Sequence, residues 1–300
     1  MNRMIFLATV LGVTVFSFPA RADLNILSTV PEWAALAQEI GGAKVKVTSA
    51  TSGKQDPHHI EARPSLVARA RNADLVLSTG AELETGWLPV VLRESGNARV
   101  QPGQPGNFEA ARYVTMLEIP ARLDRSEGDV HAAGNPHIQT DPRNFFRVAE
   151  ALAARMSELD SANNAIYAAG LVIFNERWRA AIARWESQAA PLRGANVVAQ
   201  HSSFTYMNNW LGLRQIATLE PKPGVEPSVA HLGKVVAQTA GKNVRLVLRA
   251  AYNSSRPAEW YSQQSHVPVA VLPFTVGGDD KATNLYTLFD VTIARLLGEK

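Results

Sequence analysis

The chain of 300 residues contains no cysteine. That excludes disulfides, thiolate metal sites and an N-terminal cysteine that carries lipid. Charge is also sparse: a formal net charge of +3, with no dense Lys/Arg block beyond the flank of the N-terminal apolar run, argues against nucleic acid as a partner. Past residue 22 no segment is long and apolar enough to span a bilayer. The hydrolase signatures His-Glu-x-x-His, Gly-x-Ser-x-Gly and Ser-x-x-Lys do not occur, and no short-period repeat is visible.

What is present begins with a leader. Arg3 opens a short positive region, Met4 to Phe18 is almost wholly apolar, and Ala20-Arg21-Ala22 is a small-residue cleavage signature. An apolar run of about 15 residues is short for a transmembrane anchor, so residues 1–22 read as a signal peptide cleaved after Ala22. Export without a lipid-carrying cysteine points to a periplasm.

The mature chain exceeds the usual single-domain size, and its apolar content of 46% is enough for two cores. Apolar runs at Leu24 to Val30, Lys44 to Ser49 and Ala73 to Ser78 read as strands, with helices at Pro31 to Ile40 and Pro64 to Asn72 between them. Such alternation predicts βαβ units around a mainly parallel sheet. The Gly- and Pro-rich stretch 96–106 reads as a loop.

Helical spacing then takes over. Phe145, Val148, Ala149, Leu152, Ala153 and Met156 recur at three- and four-residue intervals, and a second run from about Ala162 to Gln188 carries Ile166, Ile173, Trp178, Ile182 and Trp185. The latter would be about 40 Å long and suits a rigid connection. A second α/β series follows, with strands at Asn196 to Gln200, Ile216 to Leu219, Val244 to Leu248 and Val267 to Phe274. Its helices are expected around Phe204 to Leu211, Val229 to Ala240 and Asn284 to Leu297. The expected organisation is a signal peptide at 1–22, an N-terminal α/β lobe at 23–160, a long connecting helix at 161–190 and a C-terminal α/β lobe at 191–300.

Three histidines sit at loop mouths in this scheme: His58 in Asp56-Pro57-His58-His59, His137 in Gly134-Asn135-Pro136-His137, and His201 after Val197-Val198-Ala199-Gln200. Neutral imidazole is the commonest ligand for divalent transition metals. Ligands in open α/β sheets bind beyond the carboxyl ends of strands, so histidines drawn from both halves predict a metal in the cleft between lobes.

These residues resemble the solute-binding proteins of zinc and manganese ABC importers, over nearly all of residues 23–300. Asp56-Pro57-His58-His59-Ile60-Glu61 with Pro64-Ser65 is similar to that family's first ligand loop, and Asn135-Pro136-His137 to its second. His201 with Phe204, Tyr206 and Gly212-Leu213 resembles the third. The resemblance implies two α/β lobes joined by a long helix, and a protein that captures a metal ion and delivers it to an inner-membrane ABC permease without catalysis. It also implies His58, His137 and His201 as ligands. An imidazole rather than a carboxylate at the third position favours zinc over manganese, because nitrogen suits zinc and harder oxygen suits manganese. A modest cleft closure without a large hinge is expected on binding.

The fourth ligand departs from the family pattern. Where an Asp usually follows the last strand, this chain has Val276-Gly277-Gly278, and acids return only at Asp279 and Asp280. Asp279 is the expected fourth ligand, Asp280 the alternative, and a water or neighbouring side chain the remaining option.

His59, Glu61 and His131 are candidates for supporting a ligand or assisting the metal's way in, set against plain surface or structural roles. His231 and His266 have no matching context. The segment Leu123 to Gly134 holds one histidine, His131, so a His-rich collecting loop is not expected. The chain is expected to act as a monomer, with a periplasmic metallochaperone as a possible further partner. The competing classes are a manganese or other divalent-metal binder of the same family, and an exported zinc-dependent hydrolase in which a three-nitrogen site activates water. An adhesin on the same scaffold would call for a lipid or wall anchor.

Overall fold

A computed structural model describes residues 23–122, 128–129 and 131–299. The leader, residues 1–22, lies outside the described residues, as does most of the segment just before His131.

Two four-stranded parallel sheets form the frame. In the first, β1 (Leu24–Ser28), β2 (Val45–Ser49), β3 (Leu75–Ser78) and β4 (Asn107–Glu109) lie in the order β2-β1-β3-β4. The second repeats that order with β5 (Asn196–Ala199), β6 (Arg214–Thr218), β7 (Val244–Ala250) and β8 (Val269–Leu272), as β6-β5-β7-β8. The central strands are apolar on both sides because helices cover both faces, as parallel sheets require. All four residues of β3 are buried.

In the first lobe α1 (Pro31–Gly41), α2 (Pro64–Arg71) and α3 (Leu88–Ser95) flank the sheet. After them come α4 (Asn144–Leu159) and the 26-residue α5 (Asn164–Ala189). The second lobe carries α6 (Thr205–Leu211), α7 (Val229–Thr239), α8 (Arg256–Ser265) and α9 (Leu285–Leu297). Each of α1, α2, α3 and α8 has proline in its first turn, where the missing N–H is not needed. Asn284 closes the start of α9 with a reciprocal capping box to Thr287.

The outer face of each sheet has its own core. Leu66, Val76, Trp87 and Val91 pack together in the first lobe, and Val198, Leu232, Val247 and Tyr261 in the second. The inner faces share one continuous core that runs across α5. Trp178 is its hub, fully buried, with ring centroids 5.2 Å from Phe145, 5.2 Å from Phe174, 5.2 Å from Trp185 and 5.6 Å from Phe289. A lobe junction filled this way resists hinge motion, because interiors packed at crystal-like density deform little.

One detail of α5 differs from the sequence expectation. Its buried stripe is Tyr167, Phe174, Trp178, Ile182 and Trp185, while Ile166 and Ile173 are 41% and 55% exposed. The helix is apolar on more than one side, so periodicity alone fixes the stripe only to within one residue. Gly170 adds a second reason for its packing: a Cβ there would stand 2.1 Å from the Ile40 carbonyl oxygen, so the glycine lets the end of α1 touch the α5 backbone.

The loops at the carboxyl ends of the two sheets meet across the cleft. Gly53, after β2, lies against Gly277 and Gly278, after β8, so closely that a Cβ on Gly53 would come within 2.2 Å of the Gly277 carbonyl carbon. Beside that seam, Lys54 pairs with Asp280 at 3.5 Å and the Thr275 hydroxyl donates to the buried Glu32 carboxylate at the start of α1.

Candidate metal centre

Each of the three histidines is set by a local device. After β2 the chain makes a turn in which Asp56 Oδ1 accepts the His58 backbone N–H at 3.0 Å and lies 2.7 Å from His58 Nδ1. Trp87 Nε1 donates to the Pro57 carbonyl at 3.0 Å and pins the same loop to the first lobe. The second turn repeats the pattern. Asn135 Oδ1 accepts the His137 N–H at 3.0 Å and lies 2.8 Å from its Nδ1. Tyr206, from α6, donates to the Asn135 carbonyl at 2.8 Å and so ties this turn to the other lobe.

His201 leaves β5 directly, and its partner is distant in sequence. Glu220 Oε2 lies 2.7 Å from His201 Nδ1 and also accepts the Gly224 N–H at 2.9 Å.

In all three cases the oxygen opposite Nδ1 accepts only, which puts the proton on Nδ1 and leaves a bare lone pair on Nε2. Such outer partners orient a ligand ring and raise its basicity. One ring nitrogen of each of His58, His137 and His201 lies within 4.8 Å of the other two. The ring centroids stand 5.3 Å apart for His58 and His137, 5.8 Å for His58 and His201, and 5.2 Å for His137 and His201. His58 Nε2 and His137 Nε2 are buried with no hydrogen-bond partner among the described residues. A buried polar atom without a partner is costly, and two of them facing one space mark a ligand position.

Electrostatics agree with the geometry. Burial, followed by the neighbouring imidazoles of His201, His58 and His131, holds His137 well below the ordinary histidine range. Burial alone would raise Asp56, but the hydrogen bonds and charge of His58 outweigh it and keep that carboxyl below its usual value. The site therefore presents three nitrogen donors backed by a carboxylate, an amide and a second carboxylate.

The remaining sequence candidates divide. His131 comes to the site: its ring centroid is 5.5 Å from that of His58, and it lines one small cavity of about 110 Å³ with His137 and His201. His59 points outward, 66% exposed, with Asp129 at 3.7 Å. Glu61 is exposed, and the position behind His58 is taken by Asp56.

The structure does not bring Asp279 or Asp280 to the histidines. Asp279 accepts the Lys281 N–H at 2.9 Å and pairs with Arg295 of α9 at 2.9 Å, contacts that hold its carboxyl below the usual range. Asp280 is 96% exposed at the side chain. The Gly277-Gly278 pair turns the loop back, as its composition suggests, but toward Gly53 and the Pro273 carbonyl.

Sequence reasoning missed the three partners of Nδ1. Asp56 and Asn135 had a readable signal, an Asx residue two positions before each histidine. Glu220 had none, standing 19 residues from His201. Tyr252 was also missed; it packs half-buried against Phe274, where desolvation of its phenol and then the charge of Asp56 push that group up.

Two parallel-sheet lobes on a helical spine, with three oriented imidazoles at their junction, define a cleft-type metal-binding protein. The chain belongs to the family described as zinc-uptake complex component A, periplasmic, whose profile matches residues 26–296. That makes it a metal-binding substrate-binding protein of an ABC transporter.

Its relatives carry different metals in their names. The zinc-binding lipoprotein AdcA of Streptococcus pneumoniae is 21% identical over 84% of this chain and 50% of its own, longer length. The manganese ABC transporter substrate-binding lipoprotein PsaA of Streptococcus pneumoniae is 21% identical over 84% of this chain and 80% of its own. Among solved structures, a crystal structure of ZnuA superposes with a TM-score of 0.73 at 23% identity, covering 89% of this chain and 96% of that one. This likeness shows the shared fold.

Proposed function

We propose that the protein is a periplasmic zinc-binding component that captures the ion at His58, His137 and His201 and passes it to an inner-membrane ABC permease. The observation that carries this reading is the convergence of three imidazoles whose Nδ1 atoms are each engaged by an oxygen, so that their Nε2 atoms face one space. Tetrahedral zinc holds nitrogen ligands at about 2.0–2.1 Å, which sets them roughly 3.3 Å apart. Nitrogens within 4.8 Å of one another reach that spacing through small shifts of three loops, without a lobe rotation.

Zinc is favoured over manganese because all three donors are nitrogen. Residues 1–22 act as the leader, cleaved after Ala22, and the absence of cysteine leaves no thiol for lipid attachment. All three ligands come from a single chain, which suits a monomer that takes zinc from solution or from a periplasmic metallochaperone.

The test is metal analysis of the protein purified from a periplasmic extract, with His137→Ala in parallel. About one equivalent of zinc in the wild type and near none in the variant supports the reading. Manganese in the wild type, or zinc retained by His137→Ala, overturns it.

A further inference from the structure

His131 stands out among residues near the site that the three-histidine reading does not use. It lies in the turn 131–134, closed by the Gly134 N–H on the His131 carbonyl at 3.1 Å. That turn is held from both lobes. The Ala132 N–H donates to the Glu82 carboxylate of the first lobe, and the Asp129 N–H, just before it, donates to the Pro223 carbonyl of the second at 3.0 Å.

The His131 ring is thereby laid beside the His58 ring, at 5.5 Å between centroids, inside the cavity that His137 and His201 also line. Its Nε2 is buried and has no hydrogen-bond partner among the described residues, as is true of His58 Nε2 and His137 Nε2. Buried polar atoms are as a rule hydrogen-bonded, and this unpartnered nitrogen belongs to a ring that lines the cavity of the other histidines. Both carboxylates of the loop after β8, meanwhile, are directed elsewhere.

We propose that His131 is the fourth ligand, completing a shell of four imidazoles when the 131–134 turn moves inward on the bound ion. This rests on the three-histidine reading and deepens it. Four nitrogen donors leave no position for a bound water and no oxygen donor for manganese, so the site takes a borderline-soft ion and lacks the open corner that metal hydrolysis needs.

The experiment uses the mature full-length chain loaded with zinc, and X-ray absorption at the zinc edge counts the imidazoles. The wild type is expected to show four. His131→Ala is expected to show three with one oxygen donor, and to lose at least ~10-fold in zinc affinity against a chromophoric chelator. His131→Asp is expected to narrow the preference for zinc over manganese. Cobalt substitution gives a second readout, a four-coordinate visible spectrum that changes between wild type and His131→Ala.

Three imidazoles plus oxygen in the wild type, with affinity and cobalt spectrum unmoved by His131→Ala, overturn the proposal. The wild-type count decides the matter even if the variant folds poorly. Failure of the underlying reading looks different, since it would leave zinc binding indifferent to His137→Ala as well.

Discussion

Asn135 holds His137 twice through one oxygen, at 3.0 Å from its backbone N–H and 2.8 Å from its ring Nδ1. Asp56 holds His58 in the same way. An Asx residue, a proline and a histidine thus form a self-contained unit in which the first residue fixes the rotamer and tautomer of the third. Its proline also restricts the residue before it to extended backbone, the conformation from which the side chain reaches forward.

Removing the orienting oxygen should weaken metal binding without unfolding the lobe. Asp56→Ala and Glu220→Ala are each expected to lose about 10–100-fold in zinc affinity. Asp56→Asn, which keeps an acceptor but not the charge, should lose less. Competition with a chromophoric chelator measures both, with far-UV circular dichroism as the control on folding.

Asp279→Ala should leave zinc affinity unchanged, because the carboxylate pairs with Arg295 away from the histidines. The partly exposed pair is worth roughly 0–1 kcal/mol to stability, so denaturant midpoints should also move little. A clear loss of zinc affinity in this variant would return Asp279 to the metal.

Glu32 gives a pH-dependent prediction. It is fully buried, and desolvation, reinforced by Glu84 and opposed by the Thr275 hydrogen bond, raises its carboxyl to about 7 from 4.5. With the folded value above the unfolded one, the native state binds the extra proton between those limits. The stability this gives is present at low pH and lost as pH rises through about 7. Glu32→Gln abolishes that loss, so relative to wild type it should gain stability between pH 5 and pH 8, by up to about 3 kcal/mol. Urea denaturation of the metal-free protein at the two pH values checks the sign.

Trp178→Ala should cost about 3–5 kcal/mol, since it empties the centre of the shared core and removes the bond from Trp178 Nε1 to the Pro142 carbonyl at 2.7 Å. Gly53→Ala acts at the opposite side of the cleft. Its methyl group meets the Gly277–Gly278 backbone, for which roughly 1–3 kcal/mol is expected. Thermal melts of both variants with and without zinc separate the two effects: the Gly53 substitution, on the loop that carries His58, should also reduce the stabilisation given by zinc.

The sequence discloses the parts of this molecule that are local. Strands β1, β3 and β5 are apolar runs, α5 is long and uninterrupted, and the Asx-Pro-His units announce themselves within three residues. The strand β4 is too short to show a pattern, α3 begins at a Leu-Pro pair inside an irregular stretch, and α8 is largely polar, so none of these was visible. The placement of Asp279 was not legible for a related reason. Asp279 is adjacent in sequence to where a ligand is expected, but its partner Arg295 lies a full helix away, and the residue that does approach, His131, is positioned by backbone bonds to Glu82 and Pro223 that no local pattern records. Glu220 illustrates the same limit for His201.

Three imidazoles from one chain form the proposed site for zinc. Calorimetric titration of the metal-stripped mature protein with zinc and with manganese, beside His137→Ala, tests it most directly. One zinc per chain, tighter than manganese and lost in the variant, is the result this structure predicts; tighter binding of manganese, or zinc binding untouched by the substitution, would contradict it.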